Sequence, residues 1–227
     1  MIEHGHAGVF SAIAVARRLL EQRSVNHCLV GGVDSLVNPA DAERLSAAGR
    51  LHDTDNPQGA IPGEGAAFWL LAANDARGSA IAQLAGVGIA QEADHALGER
   101  FAVGNGLRSA LTAAINDAAC EESQIDFRIS DMNGERYHAW DSNLAAMRFY
   151  RTRREHFPVW YPAASTGDLG AAAGALDVVV AANAIARGFA PGPIAMCEGS
   201  SDDGLRAACV VVAAPGRPRP PFVAAES

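Results

Sequence analysis

The chain has 227 residues, 49% of them hydrophobic and 19% charged, and carries a formal net charge of −8. This is the composition of a soluble globular protein with one sizeable core or two small ones, not of a disordered chain. The acidic balance and the lack of a Lys/Arg block speak against a nucleic-acid or anionic-membrane partner held through phosphates.

The first stretch, MIEHGHAGVFSAIAVARRLLEQRS, has no basic leader, and Arg17 and Arg18 break its apolar run well short of a bilayer span. Neither a signal peptide nor a membrane helix is expected, and the location is read as cytoplasmic. Within it, AGVFSAIAVARRLLEQ has helical spacing. HCLVGGVDSLV follows as an apolar run interrupted by Gly31 and Gly32, predicting an interior strand buried on both faces. NPADAERLSAAGRL opens with the turn pair Asn38-Pro39 and predicts a helix capped by Asp41, and GAIPGEGAAFWLLAA ends in a strand.

Beyond these, SAIAQLAGVGIAQEA reads as a long strand, GNGLRSALTAAINDAACEE as an amphipathic helix, and IDFRISDMNGE as a strand running into a loop. AWDSNLAAMRFYRTRR predicts a helix, VWYPAAS an extended segment, and GAAAGALDVVVAANAIARG a helix. PIAMCEGSSDDGLRAACVVVAA then predicts two strands around a polar turn. Alternating β and α elements imply a layered α/β protein. PGRPRPPFVAAES, with four prolines, predicts an extended or disordered tail, and no solenoid repeat is present.

Cys28, Cys120, Cys197 and Cys209 are scattered, show no C-x-x-C spacing and lie mostly in apolar runs. They read as small buried hydrophobes in a reducing compartment, with no disulfide framework and no zinc site.

The series CLVGGVDSL, AGRL, IPGEGAAFWLLA, STGDLGAAAGAL and GSSDDGLRAACVVVA resembles the β-ketoacyl synthase branch of the thiolase superfamily, the condensing enzymes of fatty-acid and polyketide synthesis. The resemblance runs from about residue 5 to residue 214 and implies a thiolase-like layered α/β fold, α-β-α-β-α. It divides the chain into the end of an N-terminal half over 1–77, a C-terminal half over 78–214 and the Pro-rich tail over 215–227. Most of a first half would precede Met1. The resemblance therefore implies a fragment, an N-terminal loss, or a cover from another chain for the apolar faces of AGVFSAIAVARRLL and CLVGGVDS.

The chemistry the resemblance implies is a cysteine nucleophile at a helix N-terminus, assisted by two histidines. Counting back from SAIAVA, His6 falls at the cysteine, with Gly5 or Ala7 there if the register slips by one. IDFRISDMNGE places Asp131 at the first histidine, with Asn133 and Gly134 at the following threonine-glycine pair. GDLGAAAGAL aligns without a gap and places Asp168, preceded by Gly167, at the second histidine. An ionised carboxylate donates no hydrogen bond, so it cannot stabilise an oxyanion and repels a malonyl carboxylate. Ser200, Ser201, Asp202 and Asp203 also replace the family's phenylalanine-containing glycine loop. Condensation by the family route is not expected, and no catalytic residue is assigned.

Asp168 has two readings. As a helix cap it would contribute about 0.5–2 kcal/mol. Alternatively His6, Asp131 and Asp168 converge, to hold a divalent metal or to make His6 a general base; no second histidine ligand is present, and no metal is assigned. Glu64 in PGEGAA matches the family's glycine-glutamate-glycine turn and is assigned structural hydrogen bonds; Asn133, Gly134 and Gly167 share such pocket or structural roles. His138, Trp140 and His156 read as surface or packing residues. No dinucleotide fingerprint, P-loop or metalloprotease pattern is present, so no cofactor is assigned.

Two function classes follow. One is a non-condensing relative serving as a scaffold, chain-length-factor-like subunit or adaptor, with or without an acyl or hydrophobic ligand in the inherited pocket. The other is an active acyltransferase or 3-oxoacyl-ACP synthase using other residues, although Cys28 and Cys120 cannot reach the nucleophile position without abandoning the match. Acyl carrier protein or acyl-CoA is the implied partner, in a homo- or hetero-oligomer.

Overall fold

Val9, Phe10, Ile13, Ala16 and Leu20 recur at helical steps and are all buried along one face of α1 (Gly8–Glu21). Phe10 and Ile13, fully buried, each contribute roughly 1.5–3 kcal/mol by leaving water. The computed structural model describes residues 4–73, 80–98 and 100–215. In it α1 is followed by β1 (His27–Ser35), α2 (Pro39–Ala47) and β2 (Glu64–Ala72). β3 (Ala82–Gln91), α3 (Asn105–Asp117), β4 (Phe127–Ser130), α4 (Arg136–Phe149), β5 (Val159–Trp160), α5 (Ala163–Thr166) and α6 (Ala173–Arg187) come next. β6 (Ile194–Ser200) and β7 (Leu205–Ala213) close the order.

β1 and β2 form an antiparallel ribbon, and the other strands form a five-stranded sheet ordered β3-β7-β6-β4-β5. β4 runs parallel to β5 and β6, and β7 antiparallel to β3 and β6. One core joins α1, α6 and the inner ribbon residues Val30 and Ala67 to the sheet through Phe127, Ile129, Cys197 and Cys209. A second core packs Leu107, Leu111, Ala145 and Phe149 of α3 and α4 onto Met196, Ala208 and Val210 of the opposite sheet face. The layers therefore run ribbon, α1/α6, sheet, α3/α4, which is a thiolase-like α/β arrangement.

Several sequence expectations change. β1 is not buried on both faces: Leu29 and Val33 stand 70% and 68% exposed, beside Phe68 and Leu70 of β2. α1, in contrast, has its apolar face covered within the chain. Asn38, not Asp41, caps α2; its Oδ1 accepts the Asp41 amide at 3.0 Å and Pro39 takes the first helical position. The helix around AWDSN begins earlier, at Arg136, and stops at Phe149, leaving Arg151–Arg154 outside it. VWYPAAS is extended for two residues only before α5 turns. Residues 216–227 of the tail lie outside the described residues. The run Gly170–Arg187 is long and apolar enough to cross a membrane, yet 56% of it is buried in the protein, where α6 is a core helix.

Candidate functional site

His6 lies in a 3-10 turn, Gly5–Ala7, that feeds α1. The turn is tied to the β6–β7 connection by Ser201, whose hydroxyl accepts the Ala7 amide at 2.9 Å and donates to the His4 carbonyl. Asp131 follows β4 directly, and its Oδ2 accepts the Ser200 amide at 2.7 Å. Asp168 is set by its own backbone: its amide donates to Ile61 O (2.7 Å) and its carbonyl accepts from Gly63 N (2.8 Å). Gly167 permits that approach, with φ +72° and the Ile61 carbonyl 2.8 Å from where a Cβ would sit.

These three side chains meet. His6 Nδ1 donates to Asp131 Oδ2 at 2.9 Å and His6 Nε2 to Asp168 Oδ1 at 2.8 Å, all three residues being buried. Ionised carboxylates only accept, so both ring nitrogens carry hydrogens. Burial works against the charge, but the Asp168 carboxylate and the hydrogen bonds to Asp131 and Asp168 outweigh it and hold the His6 pKa well above its usual value. Asp168 moves the other way. Despite burial, the His6 charge and the hydrogen bonds from His6, Asn133 and Gly170 hold it well below the carboxylate range.

The two readings of Asp168 are thus partly joined. Its Oδ1 accepts the Gly170 amide at 2.8 Å, at the mouth of the 3-10 turn Gly170–Ala172 that leads into α6, while Asp34 Oδ2 takes the Ala171 amide at 2.9 Å. Asn133 Nδ2 donates to Asp168 Oδ2 at 2.6 Å and to Glu135 Oε2 at 2.9 Å. As an imidazolium with both nitrogens engaged, His6 has no lone pair for a proton or a metal, and its carboxylates lie on opposite edges of the ring. Among the described residues no group of His, Cys, Asp and Glu has the arrangement of a metal site.

A cavity of about 300 Å³ opens in front of this triad, lined by His6, Asp168, Asn133, Arg50, His138 and the Ser200–Asp203 turn among others. Its wall is a second ionic layer. Arg50 binds Glu135 (2.6 and 2.8 Å) and Asp202 (2.7 and 3.0 Å), each through two nitrogens. His138 lies 3.3 Å from Asp202 Oδ1 and stacks on His6 with ring centroids 6.2 Å apart. Asp203 of the same turn meets His4 at 2.9 Å. Gly134 (φ +102°) bends the chain between Asn133 and Glu135, and exposed Glu64 accepts from the Ser35 hydroxyl at 3.0 Å.

The sequence does not single out Arg50 or Asp177, and it marks His138 as a surface or packing residue. Arg50 sits in the AGRL motif, but its partners are 85 and 152 residues away. Asp177 hides inside an apolar helix, where burial and then the Asp131 charge push its carboxyl well above the usual range, and its Oδ2 has no partner. None of the four cysteines lines the cavity. Cys197 and Cys209 are buried in β6 and β7, and burial raises the Cys197 thiol pKa, so it stays protonated.

The chain is 32% identical over 199 residues, 80% of its own length and 47% of the relative's, to a Streptomyces coelicolor protein described as an actinorhodin polyketide beta-ketoacyl synthase 2. It is a β-ketoacyl-synthase-like protein. The ketosynthase-like chain also matches a solved complex of a type II polyketide-synthase acyl-carrier protein with its hexaketide-bound ketosynthase. The TM-score is 0.82 at 18% identity, over 93% of this chain and 62% of that one. A Xenorhabdus doucetiae ketosynthase in complex with its chain length factor gives a TM-score of 0.80 at 19% identity, over 93% and 59%. At these identities the likeness to the solved structures is one of fold. The ketosynthase-like chain spans about half the length of the curated relative it matches, and no family model matches it.

Proposed function

We propose that this chain is a non-condensing, ketosynthase-like subunit, chain-length-factor-like or scaffolding, of a cytoplasmic polyketide- or fatty-acid-synthesis assembly. The observation that carries this is the His6 ion triad: the position that the resemblance gives to the nucleophile holds an imidazolium bound to Asp131 and Asp168. A general base must be neutral and an oxyanion hole must offer free donors; here every ring N–H is already taken by a carboxylate. The subunit reading is supported by the apolar outer face of the β1–β2 ribbon, which we assign to a ketosynthase-like partner chain. Solved neighbours that pair a ketosynthase with a chain length factor or an acyl-carrier protein support such a partner and an acyl-carrier protein contact. We likewise assign residues 1–77 and 78–214 to two halves, with the boundary in the segment between β2 and β3.

The test is intact-mass spectrometry after incubation with acyl-carrier-protein and coenzyme A thioesters, with malonyl decarboxylation followed in parallel. No covalent adduct and no carbon dioxide above background are expected from folded protein. A stable acyl adduct, or carbon dioxide release abolished by substituting a cysteine or His6, overturns the reading in favour of an active acyltransferase.

A further inference from the structure

The outer face of the α3–α4 layer gathers positive charge on a molecule whose net charge is −8. The chain has 18 arginines and no lysine. On α4, Arg136, Trp140, Asn143 and Met147 follow one another at three- and four-residue steps and so form a single outward stripe, the opposite side to buried Asp141, Ser142 and Ala145. Trp140 is 52% exposed and Met147 74%. Arg148, at the margin of the stripe, reaches across to the Val103 carbonyl at the start of α3. Gly104, the cap of α3, abuts the Ala145 backbone, which places exposed Arg108, one turn on, in the same layer. Exposed Arg151 and Arg153 follow the end of α4.

Among the described residues, most arginines elsewhere are paired: Arg17 with Asp117, Arg44 with Asp41, Arg50 with Glu135 and Asp202, Arg206 with Asp141. Among the described residues, Arg108, Arg136, Arg151 and Arg153 have no acidic partner. The nearby Glu122 is consumed by Arg154 and by the Arg151 and Thr152 amides, leaving exposed Glu155 as the acid of that loop. Exposed tryptophan and methionine flanked by unpaired guanidiniums is the composition of an interface centre, since arginine forks match carboxylates in two-point contact.

We propose that this face docks the acidic side of a helical protein partner, with Trp140 and Met147 meeting its apolar residues and Arg108, Arg136, Arg151 and Arg153 pairing with the carboxylates beside them. The exposed stripe is about 16 Å long at 1.5 Å per residue, a length a helix laid alongside α4 would cover. Charge selects the class of partner. Beyond a Debye length of about 8 Å an extended polyanion or an anionic bilayer meets the remaining acidic surface, whereas a compact acidic helix meets the patch alone. This surface lies on the sheet face opposite α1, and its role does not depend on the non-condensing reading.

The test uses a fluorescently labelled 20-residue peptide, helical by design, with a leucine stripe flanked by glutamates, and a counterpart with lysine in place of every glutamate. Binding is read by anisotropy at two salt concentrations. The glutamate peptide is expected to bind and the lysine peptide not to, with affinity weakening as salt rises. Trp140→Ala and the triple variant Arg136→Ala/Arg151→Ala/Arg153→Ala should each weaken binding about tenfold or more, with unchanged far-UV dichroism. Substituting Arg18 and Arg187, on the opposite layer, should leave it unchanged. Absence of binding, equal binding of both peptides, or indifference to the α4 substitutions overturns the proposal. Association with phosphatidylglycerol vesicles that is lost in the same triple variant, without peptide binding, overturns it in favour of a membrane surface.

Discussion

A buried imidazolium clamped by two carboxylates links stability to pH, and the window follows from the directions of the shifts. The folded His6 pKa is raised, so its contribution is complete below the unfolded value of 6.5 and is lost as pH rises through the folded one. Asp168 is depressed, so its share is present above 3.8 and is lost as pH falls through its folded value. His6→Gln, which leaves Asp131 and Asp168 without their cation, should therefore cost most between pH 3.8 and 6.5, about 3–5 kcal/mol. Denaturant midpoints of both proteins across pH 3–9 check this; a difference that does not shrink above pH 6.5 would mean that His6 is not charged in the fold. How much of the site was legible depends on local chain geometry. Asp168 could be placed because GDLGAAAGAL carries a helix start and its acid in one gapless stretch. Arg50 and His138 could not, because their roles exist only once Glu135 and Asp202 are folded beside them.

Among the elements, α4 is held in an unusual way: two of its buried residues face ions instead of hydrocarbon. Asp141 Oδ2 accepts from Arg206 Nε at 2.6 Å, and Arg206, fully buried, also donates to Ser201 O (2.7 Å) and the Tyr137 hydroxyl (3.1 Å). Ser142 donates to Glu198 at 2.9 Å and accepts from Arg128, the ion partner of Glu198, at 3.0 Å. Arg206→Leu should destabilise by about 3–5 kcal/mol, because it strands a buried acid; adding Asp141→Leu should recover part of that loss, as urea midpoints would show. If the double change costs as much as or more than the single one, the pair is not what fixes α4. These ionic positions explain why AWDSNLAAMRF has a helix's spacing without a clean apolar stripe. β1 misled for the converse reason: a run such as CLVGGV reads alike whether its second face is covered or open. Gly31 and Gly32 are there for close contact, with Ala67 O and Ala171 O each 2.2 Å from where a Cβ would sit.

At the scale of the whole molecule, alternation of strands and helices was enough to give a layered α/β fold, and the linked motifs gave its thiolase-like kind. The strand order β3-β7-β6-β4-β5 was beyond the sequence, because pairing partners such as Ala82 and Ala213 are joined only by tertiary packing. That same sheet carries a built-in clock. Cys197 and Cys209 oppose each other on β6 and β7 and are fully buried, whereas Cys28 and Cys120 are partly exposed. An excess of alkylating reagent should therefore add two groups early and two late, the late pair at the rate at which the central sheet opens. Mass counted against time would report how long the native sheet stays shut, with no denaturant and no introduced probe. Four groups added together at the early rate would mean that the centre of the sheet is no more closed than its surroundings.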